Sequence, residues 1–453
     1  MTEPTTVTEQ SDELAPISDL AAIASTAPTA GSLGEQFHNY VQRVRSGDLG
    51  SLPAILGLVV LVTFFWAAQP AFGTLGNFAD LLKQASPTIL LAMGLVFVLL
   101  LGEIDLAAGT AAGVCACVMA RLSVGYNVAW PIAVGGAILT GVVIGLLTGY
   151  LCARVRIPSF VVTLALFLAF QGVILFIVNN GPGQTGNVTI TDNVINDIYN
   201  GQMPIWLGWT LAVAVIAAYA AVKLHARNQR VNANLQAEAM SVLLVKVGAF
   251  AVLSVISVYL LNQNRALNKS GGIANINGHL VHVSAHAVEG VPWVVPLVGS
   301  FFVLWTFVLG RTRYGRHVYA VGGNNEASRR AGIETERVRI SVFVICSTMA
   351  SVAGILFASN LHSVDASEGG GTTLLLAVGA AVIGGCSLFG GKGRPMDAVI
   401  GGLVVAVIAN GMADLVTGNN SSAWQYIVTG AVLLLAAAVD ALSRRRAGAA
   451  GIA

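Results

Sequence analysis

Glu103 and Asp105 stand in the sequence GEIDLAAG, Gly102 to Gly109, between two long apolar runs. A carboxylate inside an apolar segment is costly, so it normally faces a cavity or a partner. The flanking glycines, Gly102 and Gly109, fit a break in a helix, where freed backbone groups can line a polar path. The segment therefore reads as part of a translocation pathway. Proton coupling through Glu103 and an ordinary acidic loop are the other readings of the same residues. A second break stands late in the chain, GGCSLFGGKGRP, with Gly384, Gly385 and Ser387 at its head. Paired Gly-interrupted segments in two halves of a chain suggest an internal repeat around a central pathway. The late segment is not a phosphate loop. Gly393 follows Lys392 where Ser or Thr should stand, and the upstream glycine spacing is wrong.

A third segment, GGNNEASRRAGI, has the signals of a short helix. Asn324 or Asn325 can cap its start, Glu326 suits its first turn, and Gly332 suits its end. Arg329 and Arg330 would project from it and could engage a partner. A solvated basic loop is the plainer reading. His279, His282 and His286 have metal-like spacing near Glu289, but no dependable fourth ligand accompanies them, so no metal site is expected. The five cysteines, Cys115, Cys117, Cys152, Cys346 and Cys386, lie in or beside apolar runs and read as small core residues. No Walker-type loop, zinc-protease motif or nucleophile elbow occurs. No catalytic residue is assigned, and any work driven by ATP must use another chain.

The elements that position these segments follow from composition. Of 453 residues, 55% are hydrophobic and 10% are charged, whereas soluble domains carry about 25% charged residues. Such a chain cannot clothe a large core in charge, so the lipid bilayer must cover much of it. A helix needs roughly 20 apolar residues to cross about 30 Å of hydrocarbon. Candidate spans fall near 52–68, 81–101, 106–122, 128–151, 158–178, 205–222, 242–262, 292–310, 340–360, 372–389, 396–416 and 424–442. The expected fold is all-α: a polytopic helical membrane protein with about twelve transmembrane helices. The stretch 81–122 reads either as two spans or as one span and a broken helix.

Lys and Arg test this count through the positive-inside rule. With both termini cytoplasmic, 20 of the 24 Lys and Arg fall inside. Lys83, Arg121, Arg265 and Lys269 remain outside. The polar stretches 179–204 and 263–291 become external loops, and 311–339 becomes a long, basic internal one. Residues 1–50 read as a cytoplasmic disordered tail with a juxtamembrane segment, 51–445 as the transmembrane domain, and 446–453 as a second cytoplasmic tail. Residues 1–35 carry acids but no Lys or Arg, unlike a secretory signal. The formal net charge of +2 gives no reason to expect a nucleic-acid partner.

These three motifs, in this order, resemble those of the permeases of bacterial ABC importers for ribose, xylose and arabinose. The similarity covers most of residues 50–445. The family's early motif is typically G-G-I-D-L-S-V-G and stands here as GEIDLAAG, with Glu103 for a common Gly and Ala107-Ala108 for Ser-Val. Its cytoplasmic loop is like YAVGGNNEASRRAGI and its late motif like GGCSLFGGKGR. An added pair of spans within 200–290 resembles the longer xylose-type members. The resemblance implies a type II ABC importer permease fold with an internal repeat. It implies a multi-pass subunit of the bacterial inner membrane that carries a monosaccharide, with xylose the first guess. An extracytoplasmic sugar-binding protein would deliver the sugar. A second permease chain, taken as an identical copy, would complete the pathway. Cytoplasmic ATPase subunits would hold the ATP and magnesium, dock on residues 324–332, and leave this chain without a cofactor. An ion-coupled secondary transporter is the alternative.

Overall fold

Proline and small polar residues set where the helices begin. Pro53, Pro131 and Pro395 each open a helix, where the missing N–H removes no bond. Thr74 caps another, its hydroxyl accepting the Asn77 N–H at 3.3 Å. In the computed structural model, the described residues are 51–180, 186–233, 235, 237–265, 272–276, 279–283, 288–367, 369–416 and 421–449. The expected tail 1–50, residues 450–453, Lys269 and His286 lie outside them.

Among the described residues, fifteen helices run in order: α1 (Leu52–Ala68), α2 (Leu75–Leu100), α3 (Ala108–Ala120), α4 (Trp130–Ala153), α5 (Ser159–Asn179), α6 (Asn193–Asn200), α7 (Ile205–Asn232), α8 (Met240–Leu261), α9 (Val294–Arg311), α10 (Arg313–Gly323), α11 (Asn325–Arg330), α12 (Thr335–Leu361), α13 (Gly371–Gly384), α14 (Pro395–Leu415) and α15 (Ser421–Ala449). Among the described residues, nine are long and apolar enough to cross a membrane. Three shorter apolar helices, α1, α13 and the apolar part of α15, complete twelve at the places hydropathy marks. The chain is a polytopic helical membrane protein. The ambiguous stretch resolves as a full helix, a non-helical break and a shorter helix that ends in a π turn, Arg121–Gly125.

The chain divides into two compact units. In the smaller, residues 212–255, the ring of Tyr219 on α7 lies 4.7 Å from that of Phe250 on α8. Lys246 pairs with Glu238 at 2.8 Å across the turn. In the larger, residues 51–211 and 256–449, α12 packs against α4, α2 and α3, and α14 against α13, α2 and α1. The most apolar stretch of α2 is 83% buried, against 11% for α9. So α2 is core, and α9 turns its apolar surface outward, as a lipid-facing helix does. A glycine stripe sets the closest helix contact. A Cβ at Gly141, Gly145 or Gly149 of α4 would lie 2.7, 2.5 or 2.8 Å from Ser347, Val344 or Ile340 of α12. Small residues at such spacing let helix backbones approach.

Two stretches read as loops carry structure. Within 179–204, β1 (Asn187–Thr189) pairs antiparallel with β4 (Ser363–Asp365), with Val188 opposite Val364. Asp192 then caps α6 by accepting the Val194 N–H at 2.8 Å. Ser359 of α12 anchors α6: its hydroxyl donates to the Ile195 carbonyl at 2.7 Å and accepts the Tyr199 N–H at 3.0 Å. Within 263–291, β2 (Gly272–Ile276) and β3 (His279–Val283) form a hairpin. His279 and His282 lie on β3. Short polar amphipathic pieces like α6 leave no apolar run for a hydropathy reading to catch.

Candidate functional site

α2 ends where Gly102 turns the chain. The Gly102 N–H donates to the Leu99 carbonyl at 2.9 Å and the Glu103 N–H to that of Val98 at 3.2 Å. Gly102 has φ +70°, a left-handed value that other residues adopt only with strain. From Glu103 to Ala107 the backbone is non-helical and climbs along α12. Glu103 forms an ion pair with Arg339, and both side chains are about four-fifths buried. Asp105 meets the Cys346 thiol, which donates to its carboxylate. Arg339 and Cys346 are seven residues apart, roughly 10 Å of helix. The break thus carries polar backbone into the bundle, where it must be satisfied by protein. The Ile104 carbonyl accepts the Thr163 hydroxyl at 3.3 Å, and the Ile104 N–H reaches the Ser159 hydroxyl at 3.5 Å. Asp105, 2% exposed, accepts the N–H of Ala107 at 2.9 Å and that of Ala108. Its carboxyl sits at the start of α3, where a helix dipole favours an anion.

The late break lies at the same end of the bundle. α13 stops at Gly385, φ +117°. Gly384 presses on α14, where a Cβ would fall 1.7 Å from the Asp397 carbonyl. Ser387, 1% exposed, closes the turn. Its N–H donates to the Lys392 carbonyl at 2.9 Å, and its hydroxyl accepts the Phe389 N–H at 3.1 Å. The Gly391 N–H then donates to the Leu100 carbonyl at 2.9 Å, which joins the late break to the early one.

The third motif meets both. α10 ends at Gly322 and Gly323. A Cβ on Gly322 would lie 1.9 Å from the Leu100 carbonyl and 3.3 Å from the Gly391 nitrogen. Tyr319 of α10 donates its hydroxyl to the Gly393 carbonyl at 2.7 Å. Beyond Gly323 the chain turns outward. Asn324, not Asn325, caps α11, accepting the Ala327 N–H at 2.8 Å. Glu326 pairs with Arg329 at 3.0 Å and Arg330 at 3.2 Å, all three exposed. These guanidinium groups hold the Glu326 carboxyl below its ordinary range. Gly332, φ +83°, ends the turn.

Of the residues that the sequence singles out, Gly102, Glu103 and the 384–391 turn gather at one junction. Asp105 lies deeper. Gly109 belongs elsewhere: a Cβ there would meet the Gly369 carbonyl at 2.8 Å, just before α13. Asn324, Asn325, Glu326, Arg329, Arg330 and Gly332 stand outside the junction on the exposed α11 segment. Tyr319, Gly322 and Arg339 complete the junction, and sequence reasoning gives none of them a role, although Tyr319 and Gly322 stand within the motif YAVGGNNEASRRAGI. Arg339 counts there only as an inside charge. Its one local signal is its place at the brink of an apolar span. Among the described residues, no three His, Cys, Asp or Glu side chains group as a metal site.

Residues 77–227 and 198–437 match the protein family described as the permease component of the branched-chain amino acid transport system. The chain belongs to that family. Its curated relatives include the xylose transport system permease protein of Escherichia coli (strain K12). That relative is 32% identical over 404 residues, which cover 89% of this permease and 94% of the relative. The xylose transport system permease protein of Haemophilus influenzae is 30% identical over 407 residues, 89% and 99% of the two chains. The ribose import permease protein of E. coli K12 is 29% identical over 387 residues, 85% and 92%. No solved structure matches this permease.

Proposed function

We propose that this chain is the translocation subunit of an ATP-driven monosaccharide importer, with xylose as the sugar, and that it has no enzymatic activity of its own. Similarity to two xylose permeases along 94% and 99% of their lengths carries this reading. Xylose is preferred to ribose because the xylose relatives match at higher identity and over more of their length. The motif junction belongs to the cytoplasmic end. α11, exposed and self-capped, is the docking lever for an ATPase subunit that binds ATP and magnesium. The opposite end, with α6 and the β1–β4 ribbon, receives a sugar-binding protein. A second copy of the chain closes the pathway.

The extended stretch 103–107, with Gly102, Glu103 and Asp105, forms the pathway wall near the inner mouth, together with the Gly384–Gly385–Ser387 turn, and Gly109 continues that wall deeper, beside Gly369. Its carboxylates are held by Arg339 and by the start of α3, so they shape the passage instead of gripping sugar. Weak contact suits a permease, because tight binding would slow release.

Uptake of labelled xylose into cells expressing the whole system tests the reading. Import is expected to persist when ion gradients are collapsed and to stop on ATP depletion. Xylose import that stops with the gradients while ATP persists would establish an ion-coupled carrier instead.

A further inference from the structure

The exposed lever is attached to the α2–α3 break on both sides of itself. Upstream, the end of α10 touches the break through backbone alone. Gly322 abuts the Leu100 carbonyl, and Gly391 donates to the same oxygen at 2.9 Å. A Cβ on Gly390, φ +86°, would sit 2.9 Å from the Gly322 carbonyl and 3.0 Å from the Gly102 nitrogen. Glycine backbones in direct contact have no soft side-chain atoms between them to absorb a displacement. Downstream, Arg339 on the second turn of α12 returns to the break and pairs with Glu103. Residues 324–334 between these anchors run through the exposed cap, α11 and turn. A load on α11 therefore reaches Gly102 and Glu103 by two separate routes.

The ionic route has room for a second arrangement. The guanidinium meets Glu103 through one terminal nitrogen, Nη2. Its Nε–H is buried without an acceptor. A bidentate pairing would satisfy both donors. Switching elements have two discrete packings of this kind, not a continuum.

We propose that the Glu103–Arg339 pair and the Gly102–Gly322–Gly390–Gly391 junction form a two-point clamp that transmits motion of α11 to the wall segment 103–107. Glu103 and Arg339 are positioning residues: they act through the backbone they hold, not on sugar. The proposal rests on the reading of α11 as the ATPase lever, and the experiment separates the two. The full permease is reconstituted in proteoliposomes with the ATPase subunit that co-purifies with it, and the sugar-binding protein is supplied outside the vesicles. Xylose uptake and ATP hydrolysis are measured together.

Glu103→Gln keeps shape and removes charge. The ATPase should stay bound and hydrolysis should continue. The uptake-to-hydrolysis ratio should fall about tenfold, within the roughly 5–150-fold range of coupling between sites. The double variant Glu103→Arg with Arg339→Glu should restore most of that ratio, which a residue serving only to fold the chain would not do. Gly322→Ala should lower the ratio by the other route. A ratio unchanged in Glu103→Gln overturns the clamp. Replacing 325–331 by a Gly/Ser segment reports on the lever itself. If that replacement couples normally, the lever reading fails. If it uncouples while Glu103→Gln does not, only the clamp fails.

Discussion

Glu326 shows how much of α11 rests on one side chain. Its carboxylate takes hydrogen bonds from Arg329 and Arg330, and these hold it below its ordinary value of 4.5. A depressed carboxylate contributes stability above its unfolded pKa and loses it as pH falls through the folded value. α11 should therefore be firm at neutral pH and loosen as pH falls below the ordinary Glu range. A spin label at Ala327→Cys should show a sharper line shape on acidification, and Glu326→Gln should leave that line shape independent of pH. Asn324 supplies the other support. Asn324→Ala removes the cap on the Ala327 N–H and should cost α11 about 1 kcal/mol. The same label, read at neutral pH, should report it as increased mobility. The cap, the acidic first turn and the closing glycine are all local, so this helix is legible in the sequence. The partners of Glu103 are not: Arg339 lies 236 residues away, and no periodicity links positions so distant.

At the scale of the element, twelve apolar helices stand out because each is a long run with few charges, and lipid demands that length. The boundaries are less legible. α2 starts at Leu75, not 81, because Thr74 caps it upstream of the apolar run. α7 continues to Asn232, ten residues past its apolar part, because a helix carries a polar surface outside lipid as readily as an apolar one within it. α10, RYGRHVYAVGG, escapes a hydropathy reading for the same reason. Helix contact is where α4 and α12 commit to each other. Gly145→Ala should force a Cβ to within 2.5 Å of the Val344 backbone. Overpacking of this kind costs about 1–3 kcal/mol. Gly135 on the same helix has open space around it, so Gly135→Ala should be stable. Thermal unfolding in detergent should rank wild type and Gly135→Ala together, above Gly145→Ala.

For the whole molecule, α12 gives the scale. Arg339 at the motif junction and Ser359 at the α6 anchor are 20 residues apart, roughly 30 Å of helix and the thickness of a hydrocarbon core. On the proposed topology the two ends face opposite sides of the membrane, with the motif junction on the cytoplasmic side. Val194 of α6 is 45% exposed. A cysteine at Val194 should react with an impermeant reagent in intact cells, and one at Arg330 only after permeabilisation. The reverse pattern would invert the topology. The extended stretch at 103–107 has a further consequence, in the order of events during synthesis. When it leaves the ribosome, Arg339 and Cys346 do not yet exist. At about 5–20 residues per second they follow roughly 10–50 seconds later. Until then the Glu103 carboxylate has no counter-charge and that of Asp105 no thiol donor, and an unpartnered acid is costly in lipid. The first half of the protein must wait at the insertion machinery, half-built, until its second half arrives to close it.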